Sequence, residues 1–197
     1  MRWRLAAALV MAVALSPIAC LGTFQAKYHR YLHLTRLQAA VSDLDRASRD
    51  VGSVLASLDY LSYKATLYDN TVKMGGNPGR DRMELLKALV GAERRLRDAR
   101  IHLDSAERKG VNVSDVARTV SRVAAELEEA RRLVELGRTG VTDRIRAVAR
   151  LARVENRLEL KKRRLMEELT ARMPRMKYYE LVENVLFLPP FNALFAL

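Results

Sequence analysis

Residues 85–106 read LLKALVGAERRLRDARIHLDSA, with apolar members at Leu85, Leu89, Ala92, Leu96, Ala99, Leu103 and Ala106. Alternating steps of four and three place all seven on one face of a helix and leave the charges on the other faces. A strand would require alternation at period two, which this stretch does not have. The stretch therefore predicts a helix with a heptad seam, and such a seam must be covered by other helices.

The same pattern lies on both sides. Upstream, Leu34, Leu37, Val41, Leu44, Ser48, Val51, Leu55, Leu58, Ser62, Ala65, Asp69 and Val72 predict one long helix ending near Met74. Ser48, Ser62, Ala65 and Asp69 dilute its seam, and Gly52 lowers helix propensity by about 1 kcal/mol relative to alanine. Downstream, Val116, Val120, Val123, Leu127, Ala130 and Val134 form a third seam. Ile145, Val148, Leu151, Val154, Leu158, Leu165 and Leu169 form a fourth, interrupted at Lys161-Lys162 and expected to halt near Pro174.

Breakers separate these seams. Gly75-Gly76-Asn77-Pro78-Gly79 ends the first; no strand precedes it and no Lys-Ser/Thr follows, so it reads as a turn, not a phosphate loop. Lys109-Gly110 stops the second, with glycine where a left-handed C-cap is wanted. Ser114 reads as the next N-cap with Asp115 in the first turn. Gly137 and Gly140 end the third, and Thr142 or Thr139 reads as the cap of the fourth. Four helices on loops this short must alternate in direction. The predicted lengths are unequal, about 50, 29, 24 and 33 residues, or roughly 75, 43, 36 and 50 Å.

Composition agrees with helices. Aromatics are 6% of the 197 residues, charged residues 29%, and the formal net charge is +12. That charge favours anionic partners, most simply phospholipid headgroups beside an anchor. The single cysteine excludes an internal disulfide.

An anchor is predicted by Leu5–Phe24, LAAALVMAVALSPIACLGTF, which carries no charge over 20 residues. At 1.5 Å per residue it reaches about 30 Å, the thickness of a bilayer's hydrocarbon core. Arg2 and Arg4 before it also suit a signal peptide, but Pro17 stands at the −3 position for cleavage after Ala19. Cys20 offers a poor lipoprotein acceptor site. The expectation is an uncleaved single-pass anchor in a bacterial inner membrane, with a lipoprotein through Cys20 as the minor alternative. Basic residues flank the run on both sides, so the membrane side of the helical domain stays undecided.

Tyr28 and Tyr31 follow the anchor and suit headgroup level. At the far end, residues 178–197 hold five of the twelve aromatics (Tyr178, Tyr179, Phe187, Phe191, Phe195) and only two charges, Glu180 and Glu183. Pro189-Pro190 divides this tail, which is too broken to span a bilayer as one helix. It suits a flap completing the core, insertion into the interface beside the anchor, or a partner-binding segment. Tyr28, Tyr31, Phe187, Phe191 and Phe195 are thus the candidate membrane- or partner-contacting residues.

Catalytic chemistry finds little material. His29 and His33 share a helical face at i, i+4, yet the intervening residues are Arg-Tyr-Leu, so no HExxH pattern forms. They read as solvated, as does the lone His102. Asp43, Asp45, Asp59, Glu126, Glu128 and Glu129 alternate with Arg and Lys as solvated faces do. The arginine runs Arg94-Arg95-Arg97-Arg100, Arg131-Arg132 and Lys161-Lys162-Arg163-Arg164 are spread over three helices and mixed with acids, unlike a recognition helix. No catalytic, cofactor or metal residue is assigned, and neither a nucleic-acid partner nor a small-molecule substrate is expected.

The order of elements resembles the LemA family. An anchor ending Leu21-Gly22-Thr23-Phe24, then Tyr28 and a long helix, is similar to that family's opening. Glu155-Asn156-Arg157-Leu158 resembles the Glu-Asn-Arg-apolar element of its last long helix. Leu186-Phe187-Leu188-Pro189-Pro190-Phe191 resembles its aromatic, proline-bearing tail. The family's Ile-Asp and arginine-pair region is reduced here to Asp43-Leu44-Asp45 and Arg49-Asp50-Val51, and its Tyr-Asn pairs are missing. The resemblance implies an N-terminally anchored helical bundle, with relatives used in building magnetosome membranes, and no agreed catalytic activity.

The expected architecture is all-α. Residues 1–24 form a transmembrane helix, 25–177 an antiparallel four-helix bundle with coiled-coil seams, and 178–197 an apolar aromatic tail. The expected function is a non-enzymatic scaffold or adaptor at the membrane surface. Its partners would be membrane lipids and another membrane protein or a second copy. The alternatives are the ligand-sensing bundle of a receptor and a basic helical protein that binds nucleic acid.

Overall fold

The structure is a computed structural model that describes His29 and residues 32–186, the stretch 173–186 as backbone only. Every regular element among the described residues is helical. The helix α1 covers 32–56, α2 Leu58–Lys73, α3 Gly79–Arg108, α4 Ser114–Glu135, α5 Val141–Ile145 and α6 Leu151–Leu186, with a 3-10 turn Arg146–Arg150 joining α5 to α6. The chain divides into two compact units, one of Leu37–Glu167 and one of Met1–Arg36 with Glu168–Leu197. In the second, Leu34 and Leu169 are buried and Arg172 pairs with Glu168 at 3.2 Å.

Side-chain pairs fix the packing inside Leu37–Glu167. Lys162 reaches Asp45, Ser48 donates to Glu159, and Gly52 lies against Glu155. Each step forward on α1 is matched by a step back on α6, so these two helices are antiparallel. Asp43 with Lys109 and Asp50 with His102 set the same relation between α1 and α3. The short loop 109–113 with the pair Glu93–Arg131 makes α3 and α4 antiparallel, and Asp115 with Arg157 and Glu126 with Arg144 do so for α4 and the α5–α6 arm. Four helical arms therefore close a ring around one core, and the chain enters and leaves this unit at the same end.

The α3 and α4 seams are as the heptads predict. Leu85, Leu89, Leu96, Leu103, Val116, Val120, Leu127 and Val134 are all fully buried. Gly75 and Gly79, at φ +73° and +32°, make the first turn, where a β-carbon would be strained. Gly110 follows the C-cap of α3 with φ +94°, the left-handed conformation anticipated for it.

The first arm departs from its heptad. In place of one helix to Met74, the chain breaks at Ser57, whose hydroxyl donates to Val54 O at 2.7 Å, while its backbone N–H bonds the same carbonyl. A side chain that back-bonds in this way competes with the regular ladder and bends the helix. The buried seam also differs from the predicted one, on both sides of the break. Ala40, Ala47, Val54, Leu61 and Tyr68 are fully buried, whereas Leu55, Leu58, Ser62 and Val72 are half-buried.

Three further expectations are corrected. The fourth arm does not halt near Pro174, since α6 runs on to Leu186. A proline within a helix loses one hydrogen bond and kinks the chain, a cost that does not compel termination. The α4 helix opens at Ser114 with Val113 at the N-cap position, and the Asn112 side chain accepts from the Ser114 N–H and hydroxyl. At α5, neither Thr142 nor Thr139 supplies the cap. That role falls to Asp69.

Candidate functional site

Asp69 lies in the fourth turn of α2 at 5% exposure, an expensive position for a carboxylate without partners. Its Oδ1 accepts from the backbone N–H groups of Gly140 and Val141 at 3.1 and 3.2 Å. Its Oδ2 accepts from the N–H and hydroxyl of Thr142 at 2.9 and 2.8 Å. Gly140 makes the turn possible with φ +99°. Beside it Tyr68, wholly buried, donates its hydroxyl to Val134 O at 3.3 Å, and burial pushes its pKa up. Two consecutive residues of α2 thus fasten the end of α4 and the start of α5. Arg82 adds a third fastening from α3, donating to Glu135 O at 2.7 Å.

A polar cleft of about 420 Å³ opens beside this clamp. Thr66, Asn70 and Lys73 of α2 form one wall and Thr139, Asp143 and Arg146 the other. Arg146 is held by Asp143 at 3.0 Å. With four donors on its two oxygens, Asp69 has little acceptor capacity left for a ligand, so its part here is architectural. A smaller groove of about 290 Å³ between α3 and α4 is floored by Ser121, Ala124 and Ala125 and edged by Arg97 and Arg100.

The ion pairs along α1 have different electrostatic characters. Burial alone would raise Asp43, but hydrogen bonds from Lys109 and Ser105 together with the lysine charge hold it below the ordinary carboxylate value. Lys162 holds Asp45 down, and with Ser48 it holds Glu159 down; Glu159 in turn raises Lys162. Asp50 goes the other way, since burial raises it more than the nearby His102 lowers it. Asp43 is therefore not on a solvated face, because α3 brings Lys109 over it. His102, too, is only about a quarter exposed, 3.9 Å from Asp50, because the antiparallel pairing of α1 and α3 covers it. Asp45, Glu126 and Glu128 do pair with neighbouring cations on outer faces.

The residues singled out from the sequence fall elsewhere. Tyr28, Tyr31, Phe187, Phe191, Phe195 and the run Leu5–Phe24 lie outside the described residues. His29 and His33 are exposed. Among the described residues no group of three or more His, Cys, Asp or Glu side chains could hold a metal ion, and no helix is long and apolar enough to cross a membrane. Sequence reading missed the clamp, treating Asp69 as a flaw in the seam. The available signal was an acid at a core position with a Thr-Gly-Val-Thr loop elsewhere in the chain.

Arm order and packing define a class, the all-helical bundle proteins. Beyond the class, no protein-family model, no curated protein and no solved structure matches this chain.

Proposed function

We propose that this chain is a non-enzymatic, membrane-anchored helical scaffold or adaptor of LemA-like type, working at the membrane surface. One observation carries the reading: the α1–α6 pairing makes the chain enter and leave the unit Leu37–Glu167 at one end. The uncharged run Leu5–Phe24 precedes that end and the apolar tail 178–197 follows it. A bundle that the chain enters and leaves at one end is suited to being tethered to a bilayer there, with its charged faces free to meet headgroups or a partner. Membrane lipids and a membrane protein or second copy are the proposed partners. The LemA-like part rests on the residue resemblance of the anchor, the Glu155-Asn156-Arg157-Leu158 element and the tail.

Carbonate and high-salt extraction test this. Full-length protein should stay with the membrane under both, and a chain starting at Lys27 should be released or bind far less. Release of the full chain by salt alone would leave electrostatics as the only attachment. Truncation at Glu183 separates the tail's roles. Lower thermal stability assigns it to the core, and unchanged stability with weaker liposome binding or complex recovery assigns it to the interface or a partner.

The cleft between α2 and α5 favours a second reading, a ligand-sensing bundle. Its walls offer Lys73, hydroxyls and an amide to a small polar ligand. A thermal-shift screen with small organic acids would test it, with Lys73→Ala removing any response.

A further inference from the structure

Many cations of the bundle have a partner, though Arg94, Arg95 and Arg97 of α3 are exposed and outside any ion pair with a described residue. On the α3–α4 edge Arg131 pairs with Glu93 and Glu135, and Arg132 with Glu128. The α4–α6 face gathers arginines from two adjacent arms between two ion pairs. It is closed at one end by Arg144 with Glu126 and at the other by Arg157 with Asp115. Between these two pairs the antiparallel register places Arg118 and Arg122 of α4 alongside Arg153 of α6 and Arg150 of the 3-10 turn.

All four arginines are exposed, and none forms a hydrogen bond or ion pair with a described residue. Their helical neighbours aggravate the crowding, since Arg118 and Arg122 are four apart, as are Arg153 and Arg157, and Arg150 and Arg153 are three apart. Like charges at these spacings repel. The α6 side continues through Lys161, which donates to Asn112 O at 2.6 Å, to the exposed Arg164. This row runs about 20 Å along the helix, from the middle of the unit toward the end where the chain enters and leaves. In the same face Leu160 is 57% exposed.

From this arrangement we infer that the α4–α6 face is a docking surface for an anionic phospholipid bilayer, so that the bundle lies on its side against the headgroups. The inference rests on the membrane-anchored reading above. Charge complementarity commits the face to a polyanion. Two features select lipid over nucleic acid. The charges are spread across two adjacent helices as a plane, not gathered on one helix able to enter a groove. No residue of α4, and none of α6 from Leu151 to Arg172, is aromatic, so the face has no platform on which bases could stack, while an exposed leucine among arginines suits the headgroup–acyl boundary. Each basic residue at an anionic surface multiplies partitioning about fivefold, so four unpaired arginines on a tethered bundle are sufficient to hold it down.

The test uses the full chain in vesicles with Cys20→Ser and a spin label at Leu160→Cys, and a control label at Lys87→Cys on α3. In vesicles containing phosphatidylglycerol, collision of the Leu160 label with a water-soluble paramagnetic quencher should fall severalfold relative to pure phosphatidylcholine. The Lys87 label should be unaffected. Replacing Arg118, Arg122, Arg150 and Arg153 by Gln, or raising the salt until the Debye length shrinks to a few ångströms, should restore access. Equal access in both lipids overturns the inference, as does equal protection in both, which would mean a second copy covers the face. Protection by an added oligonucleotide but not by anionic vesicles would also overturn it. Failure of the protein to float with any vesicle would sink the anchored reading itself; flotation with an unprotected label would sink only this one.

Discussion

The α3–α4 hairpin and the α1–α2 arm are held by different physics. Along α3 and α4 every seam position is apolar and buried, and polar residues serve only the outer edge. Along α1 and α2 the interior admits Asp43, Ser48 and Asp69, and the helix is interrupted at Ser57. The hairpin is a hydrophobic zipper. The first arm is a strut fastened at points: Lys109 on Asp43, Glu159 on Ser48, and the α5 turn on Asp69. Apolar seams supply most of the stability, and polar fastenings decide where the other arms sit along the strut. Among the described residues no buried side-chain nitrogen or oxygen lacks a partner, so these fastenings carry no unsatisfied desolvation cost.

The sharpest test of that division is a charge in the zipper. Leu96→Asp or Leu127→Asp should cost several kcal/mol, comparable with the stability of a marginal domain, because each buries an unpaired carboxylate. Arg97→Asp, on the exposed rim, should cost under about 1 kcal/mol. Chemical denaturation of the three variants checks this, and equal damage from all would break the distinction between seam and rim.

Next in size is the clamp. Asp69→Ala strips the acceptor from three backbone N–H groups and one hydroxyl, so a loss of about 2–4 kcal/mol is expected. Hydrogen exchange should rise first in residues 139–145 and leave the middle of α3 protected. Uniform acceleration throughout would mean that the clamp is not a local fastening.

Smaller effects come from the titrating pairs. Asp43, Asp45 and Glu159 have depressed folded-state pKa values. Their contribution is therefore present above the unfolded value near about 4 and is lost as pH falls through the folded one. Asp50 has a raised value, so ionising it opposes folding as pH climbs past about 4. At pH 7 Asp43→Asn should lower the melting temperature, and Asp50→Asn should leave it unchanged or raise it slightly. The contrast should shrink at a pH low enough to protonate both carboxylates, which for Asp43 lies below the ordinary range. A contrast that persists at that pH would assign the difference to packing.

The smallest expected effect is at Gly52, where an added β-carbon would come within 2.6 Å of Glu155 Oε1. That atom is the end of a flexible side chain and can swing away. Gly52→Ala should therefore recover helix propensity and stabilise by up to about 1 kcal/mol. A fall in melting temperature would show that Glu155 is held in place and that Gly52 is a true closest-approach position.

The sequence by itself determined the all-helical class, the number of arms, the turns at Gly75–Gly79 and Gly110, and nearly every buried residue of α3 and α4. Those features rest on short-range rules: a period close to 3.6, breakers, and backbone conformations that favour glycine. Tertiary structure alone decided the break at Ser57, the rotated seam of α1 and α2, the passage of α6 through Pro174, and the capping of α5 from α2. It also gathered Arg118, Arg122, Arg150 and Arg153, which in the sequence are scattered among acids. The reason is common to all of these. A seam with polar members has no unique helical phase, and a carboxylate or an arginine takes its meaning from the helix laid against it. Asp69 reads as a defect until Thr142, far along the chain, brings the donors that make it a fastening.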